Sequence, residues 1–194
     1  MGQYYIPTNI SKIQHVYSHD YEAGMKLMEH SWIGNDFVGT VMKLMMPGNP
    51  WHKDRLVWAG DYGEKKLGDF PDSDAVKDVI NKLQSDSNIF NLAEDNNKLK
   101  PTEKLTDEEW SKAVLVNYTR KQYVIVDKAG AEEADGDWRI CQLPLLCSDG
   151  NGNGGGDYHG NNEDLCGLWC GDSIGVELCI PDGFEELIPE FKED

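Results

Sequence analysis

No stretch of this chain approaches the ~18 consecutive apolar residues that a membrane-spanning helix needs. The opening Met1-Gly-Gln-Tyr-Tyr-Ile6 lacks the basic-then-apolar build of a secretory signal, and Ile6 stands where a myristoylation signal wants Ser or Thr. These absences lead to the expectation of a soluble, cytoplasmic protein with no membrane contact, whose sequon Asn117-Tyr-Thr carries no sugar. Cations are also scarce where they would matter for nucleic acid. Residues 131–194 hold sixteen Asp and Glu against Arg139 and Lys192, a net of −14 within the total of −17, which leaves −3 for the first 130. A surface of that sign repels phosphate backbones, so direct nucleic-acid binding by this acidic C-terminal third is not expected. It should attract a cation or a basic protein surface.

Cysteine is absent before residue 141, and the five present, Cys141, Cys147, Cys166, Cys170 and Cys179, all fall in the acidic third. Structural zinc sites usually present two close-spaced pairs. Here Cys166 and Cys170 form one pair with no matching knuckle, so buried free thiols are expected, with Cys141 and Cys179 as small core residues.

What the chain does have is enough apolar content, 39% of 194 residues with six tryptophans, to build the core of a single domain. Strands are expected at Gln3–Ile6 and Ile13–Tyr17, with Ser18-His-Asp suited to a helix cap. Helices are expected at Glu22–His30, at Asn35–Met46, where Phe37, Val38, Val41, Met42 and Met45 recur at three- and four-residue spacing, and at Ser73–Ser85. Leu56–Ala59 is too brief an apolar run for a helix and reads as a buried strand. Thr106-Asp-Glu-Glu109 is a capping box, Val114–Asn117 and Gln122–Asp127 suit a hairpin, and Trp138–Leu146 and Ile174–Ile180 suit strands. The expected fold is therefore α+β, with a mixed or antiparallel sheet and helices mainly in the N-terminal half.

One loop stands apart. Asp149-Gly-Asn-Gly-Asn-Gly-Gly-Gly-Asp-Tyr-His-Gly160 holds six glycines in twelve residues, and its Gly156-Asp157-Tyr158 repeats Gly60-Asp61-Tyr62 after the apolar run Leu56–Ala59. So much backbone freedom is given up where a chain must pass close to something. Asp149, Asn151, Asn153 and Gly154 fit the first half of a calcium loop, with Asp157 at its ninth position, but Gly160 stands where the twelfth-position glutamate belongs. A phosphate site is disfavoured, because the loop has no Gly-Lys-Ser/Thr ending and no Lys or Arg lies between Arg139 and Lys192.

The two Gly-Asp-Tyr turns suggest one shared site made of Asp61, Tyr62, Asp157 and Tyr158. Two carboxylates with His30, His52 or His159 nearby would suit acid–base or metal-assisted chemistry. The competing reading has both aspartates accepting hydrogen bonds from turn amides, both tyrosines covering the core, and His30 packed within it. A small-molecule or metal-dependent enzyme and a calcium-binding protein thus stand beside a binding protein.

The blocks Lys26-Leu-Met-Glu-His-Ser-Trp-Ile-Gly-Asn35, Val57-Trp-Ala-Gly-Asp-Tyr62, Leu143-Pro-Leu-Leu146 and Gly152-Asn-Gly-Gly-Gly-Asp-Tyr158 resemble a family of uncharacterised small proteins from phages and intestinal Firmicutes. The resemblance implies a mobile-element context more than a reaction, and carries over no established catalytic residues. By analogy with acidic phage anti-defence proteins of this size, including CRISPR inhibitors, the expected function is to bind and block a nucleic-acid-handling host defence effector, a nuclease with a basic groove.

Overall fold

The computed structural model describes residues 1–70, 88–94, 97–130 and 138–192. It is an α+β fold with two mixed sheets. In the first sheet the strands run β4 (Lys98–Leu99), β2 (Gln14–Val16), β1 (Tyr5–Asn9), β3 (Leu56–Gly60), β7 (Ser148–Asp149). In the second they run β8 (Ile174–Glu177), β5 (Val114–Asn117), β6 (Gln122–Ile125), β9 (Glu185–Glu186). The pairs β2/β4, β3/β7 and β6/β9 are parallel and the others antiparallel.

The central strand β3 shows why its sequence is apolar without alternation. Leu56 and Trp58 point into the larger core, whereas Val57 and Ala59 point into a second cluster with Ile6, Ile89 and Phe90. A strand covered on both faces has no reason to alternate. The larger core runs from Tyr5 to Phe191 and includes Leu115, Val124 and Val176 of the second sheet.

Six α-helices are described: α1 (Leu27–His30), α2 (Asp36–Leu44), α3 (Ile89–Glu94), α4 (Asp107–Lys112), α5 (Val126–Ala129) and α6 (Gln142–Leu146). Three of the six lie beyond residue 100, so an N-terminal concentration of helix is not evident among the described residues. Helix α2 starts at Asn35, whose side chain accepts from the N–H groups of Phe37 and Val38 at 3.0 and 3.1 Å. Its Phe37, Val38, Val41 and Met42 are fully buried, each contributing roughly 1.5–3 kcal/mol of apolar burial. The capping box of α4 forms as read, with Thr106 and Glu109 each accepting the other's N–H.

Other elements differ from expectation. Of Glu22–His30 only the last turn is helical, because Glu22 sits at φ 57° and Gly24 precedes the turn. Trp138–Leu146 is no strand: Ile140 bridges to Trp32, then Gln142–Leu146 turns helical, with Pro144 in the first turn, where a missing N–H costs nothing. All five residues of α6 are buried, so there was no amphipathic period to read. Strand β8 stops at Glu177, leaving Leu178, Cys179 and Ile180 exposed; Cys179 is therefore not a core residue, whereas Cys141 is. The expected helix Ser73–Ser85 lies outside the described residues. No helix among those described is long and apolar enough to cross a membrane.

Candidate functional site

Strand β7 pairs with β3, setting Ser148 opposite Trp58 and Asp149 opposite Ala59. The start of the glycine-rich loop therefore leaves the sheet beside Gly60-Asp61-Tyr62, while Gly156-Asp157-Tyr158 comes at its far end, where the Gly156 carbonyl accepts from Met28 N. The glycines serve a close crossing: a Cβ on Gly60 would lie 2.5 Å from the Asp149 carbonyl, and one on Gly154 would lie 2.5 Å from Gln3 Cβ. The N-terminus threads this gap. Gln3 N donates to the Gly155 carbonyl and Gly155 N to that of Met1.

Each turn aspartate is held by a different residue of the N-terminal strand. Asp61 Oδ1 accepts from Tyr4 N at 3.1 Å, while Asp157 Oδ1 accepts from the Tyr5 hydroxyl at 2.8 Å. The second oxygen of buried Asp157 takes the N–H groups of Gly152 and Gly154 at 2.8 and 2.9 Å. Burial and the adjoining Asp157 carboxylate push the Tyr5 hydroxyl far above the usual tyrosine range. Among the described residues the loop touches the first turn through a long contact, 3.4 Å from Asn153 Nδ2 to the carbonyl of Tyr62, whose ring is exposed.

The calcium-type oxygens are likewise turned on backbone. Asn151 exchanges hydrogen bonds with Tyr158, its Oδ1 accepting from Tyr158 N at 2.9 Å and its Nδ2 donating to the Tyr158 carbonyl at 3.1 Å. Asp149 Oδ2 accepts from Lys65 N at 2.9 Å. Among the described residues no group of three or more His, Cys, Asp or Glu is arranged to hold a metal ion. Tyr158 itself is fully buried and clamps the C-terminal segment: its hydroxyl donates to the carbonyls of Asn161 and Lys192 and accepts from Lys192 N at 2.7 Å, with its ring edge-on to Phe191.

His30 is fully buried between Phe37 and Trp58. Its Nε2 accepts from the Trp58 indole N–H at 2.9 Å, so the proton sits on Nδ1, which donates to the Gly24 carbonyl at 2.9 Å. Burial lowers its pKa to about 4, partly offset by the Gly24 bond and by Glu29. This is a neutral core histidine with both nitrogens occupied.

Among the described residues two clefts open along Asp149. A cleft of about 310 Å³ is lined by Lys65, Asp149, Asn151, Glu163, Cys166 and Cys170, and a shallower one of about 480 Å³ by Glu64, Lys65, Asp69, Asp149 and Asn153. Neither is lined by Asp61 or Asp157. Burial raises the Asp149 carboxyl, against the pull of the Lys65 and Glu64 amides, and pushes the Cys166 and Cys170 thiols up to about 12. Such thiols are protonated at neutral pH and are poor nucleophiles or ligands.

Exposed carboxylates gather towards the C-terminal end. Asp164, Asp182, Glu185, Glu186 and Glu190 are all exposed. Arg139 is engaged by Asp127 at 2.6 Å, which leaves Lys192 as the other cation of residues 138–192. Sequence reasoning found the charge of this region but not its placement, because no motif marks it. No protein-family model matches this chain, and no curated protein or solved structure matches it either.

Proposed function

We propose that this is an acidic protein of phage or mobile-element origin that acts by binding, engaging a basic surface of a nucleic-acid-handling host defence effector and blocking it. The observation that supports the reading is the exposure of the C-terminal carboxylates Asp164, Asp182, Glu185, Glu186 and Glu190 in a region almost without cations. Carboxylates presented on a folded scaffold compete with phosphate for a basic groove, and steer association through long-range attraction. An enzyme built on Asp61 and Asp157 draws no such support, since both are engaged by main-chain or tyrosine donors and neither lines a described cleft.

The test is nuclease inhibition. Purified protein titrated into a panel of RNA-guided nucleases should give stoichiometric loss of cleavage with one of them. Raising salt from about 0.05 M to about 0.5 M should reverse it, because the attraction is screened. Salt-insensitive inhibition, or turnover of a small substrate by the purified protein, would sink the reading.

A further inference from the structure

Strand β9 closes one end of the second sheet and, among the described residues, has β6 as its partner on one side only. Glu185 N donates to the Lys121 carbonyl at 2.9 Å and Leu187 N to that of Tyr123 at 2.8 Å. In a strand, alternate residues aim their main-chain groups to opposite sides. The N–H and C=O of Glu186 therefore face away from the sheet.

The edge is held firmly. Upstream, Phe184 packs edge-on to Tyr118 at 5.8 Å, and Tyr118 and His52 both hold Glu177, at 2.5 and 2.8 Å. Downstream, Phe191 and Lys192 are fixed by Tyr158. The side chains around it are not what a solvated edge usually carries. Ile188 is 46% exposed, and Leu178 and Ile180 in the crossover from β8 to β9 are 44% and 50% exposed. Asp182, Glu185 and Glu190 lie exposed among them, none forming an ion pair among the described residues, while Glu186 pairs with Lys128 at 2.5 Å.

We infer that the β9 edge accepts an extended, basic segment of a partner protein as an added strand. The inference rests on the binding reading above and names its contact. Main-chain bonds to Glu186 would supply affinity, and β-branched and cationic side chains of the added strand would meet Ile188 and the carboxylates. The edge, pinned at both ends, pays little ordering cost. A second copy of this chain is a poor occupant: it would bring Glu185 and Glu186 against the same carboxylates, in a protein of net charge −17.

The probe is a fluorescein-labelled octapeptide of alternating lysine and valine, compared by anisotropy at low salt with a derivative whose amides along one edge are N-methylated. The two peptides have the same charges, and the protein is unaltered. Expected is binding of the plain peptide and at least about tenfold weaker binding of the methylated one, since each lost main-chain bond matters. Glu186→Pro, which removes the outward N–H and leaves the bonds to β6, should reproduce that loss, and Glu186→Gln should not. Equal binding of the two peptides would mean recognition by charge alone, overturning the edge inference while leaving the acidic-surface reading intact. No binding of either peptide overturns the edge inference as well, and the nuclease titration then decides the broader reading separately. A concentration-dependent dimer in sedimentation, abolished by Glu186→Pro, would place a second copy on the edge and also overturn it.

Discussion

The glycine-rich loop 149–160, with carboxylates and amides, and the C-terminal run 178–190, with carboxylates alone, use these groups in opposite ways. In the loop the oxygens turn inward: Asp157 takes Tyr5 and two amides, Asn151 takes Tyr158, and Asp149 takes Lys65. In the C-terminal run Asp182, Glu185 and Glu190 are exposed and form no ion pair among the described residues. Spacing that resembles a metal loop is here the spacing that lets a glycine-rich crossing satisfy its own backbone. Side chains that fold the protein are not available to a ligand, whereas those of the C-terminal run stay exposed.

The largest effect that would break this contrast comes from the loop. Asp157→Ala leaves three donors unsatisfied beside a buried strand, and should cost roughly 3–5 kcal/mol in denaturant unfolding. Asp61→Ala frees one N–H near solvent and should cost only about 1 kcal/mol. Equal losses would mean that the two aspartates do act together.

Next in size is a pH effect. His30 has a folded pKa of about 4 against an ordinary 6.5. Above pH 6.5 both states are neutral and its contribution is fully present. As pH falls from 6.5 towards 4 the unfolded chain takes up a proton that the folded one refuses, so stability drops by up to roughly 3 kcal/mol. His15, lowered by burial and by Lys98, acts in the same direction, while Asp149, raised by burial, opposes it. Unfolding curves at pH 7 and pH 4.5 for the wild type and His30→Gln should show the slope reduced in the variant but not removed. An unchanged slope would place the proton uptake elsewhere.

Much of the fold was legible because the signals were local. The Asn35 cap with three- and four-residue apolar spacing gave α2, Thr106 and Glu109 gave the start of α4, and Leu56–Ala59 gave β3. Helix α6 was not legible, since burial on every side erases the period that separates a helix from a strand. The end of β8 was missed for the converse reason: Leu178 and Ile180 continue an apolar run that leaves the sheet and stays exposed. The repetition of the two Gly-Asp-Tyr turns suggested that they share a site. Whether their aspartates met could not be read from it, because Tyr4 and Tyr5 are distant in sequence and compete for them only after β1 has paired with β3.

Tyr158 joins the two regions and sharpens the comparison. Tyr158→Phe keeps the ring against Phe191 but leaves Lys192 N and two carbonyls without the hydroxyl. A cost of about 1–2 kcal/mol is expected, with faster amide exchange in residues 185–192 before any change in the loop. Loop and tail exchanging together would show that they open as one unit, and the contrast between them would be lost.

The smallest effect on stability should accompany the largest on binding. Glu185→Lys with Glu190→Lys alters two exposed carboxylates that fold nothing, so unfolding should move by about 0.5 kcal/mol or less. The same pair adds four positive charge units to the surface that the proposed binding would use. Nuclease inhibition at low salt should therefore fall by about tenfold or more and lose much of its salt dependence. A matched pair of reversals in the loop, at Asp149 and Asp157, would disrupt folding before it could report on binding. The residues fit for recognition are thus those whose removal the fold does not register, and a variant that lost stability and binding in proportion would show that this separation does not exist.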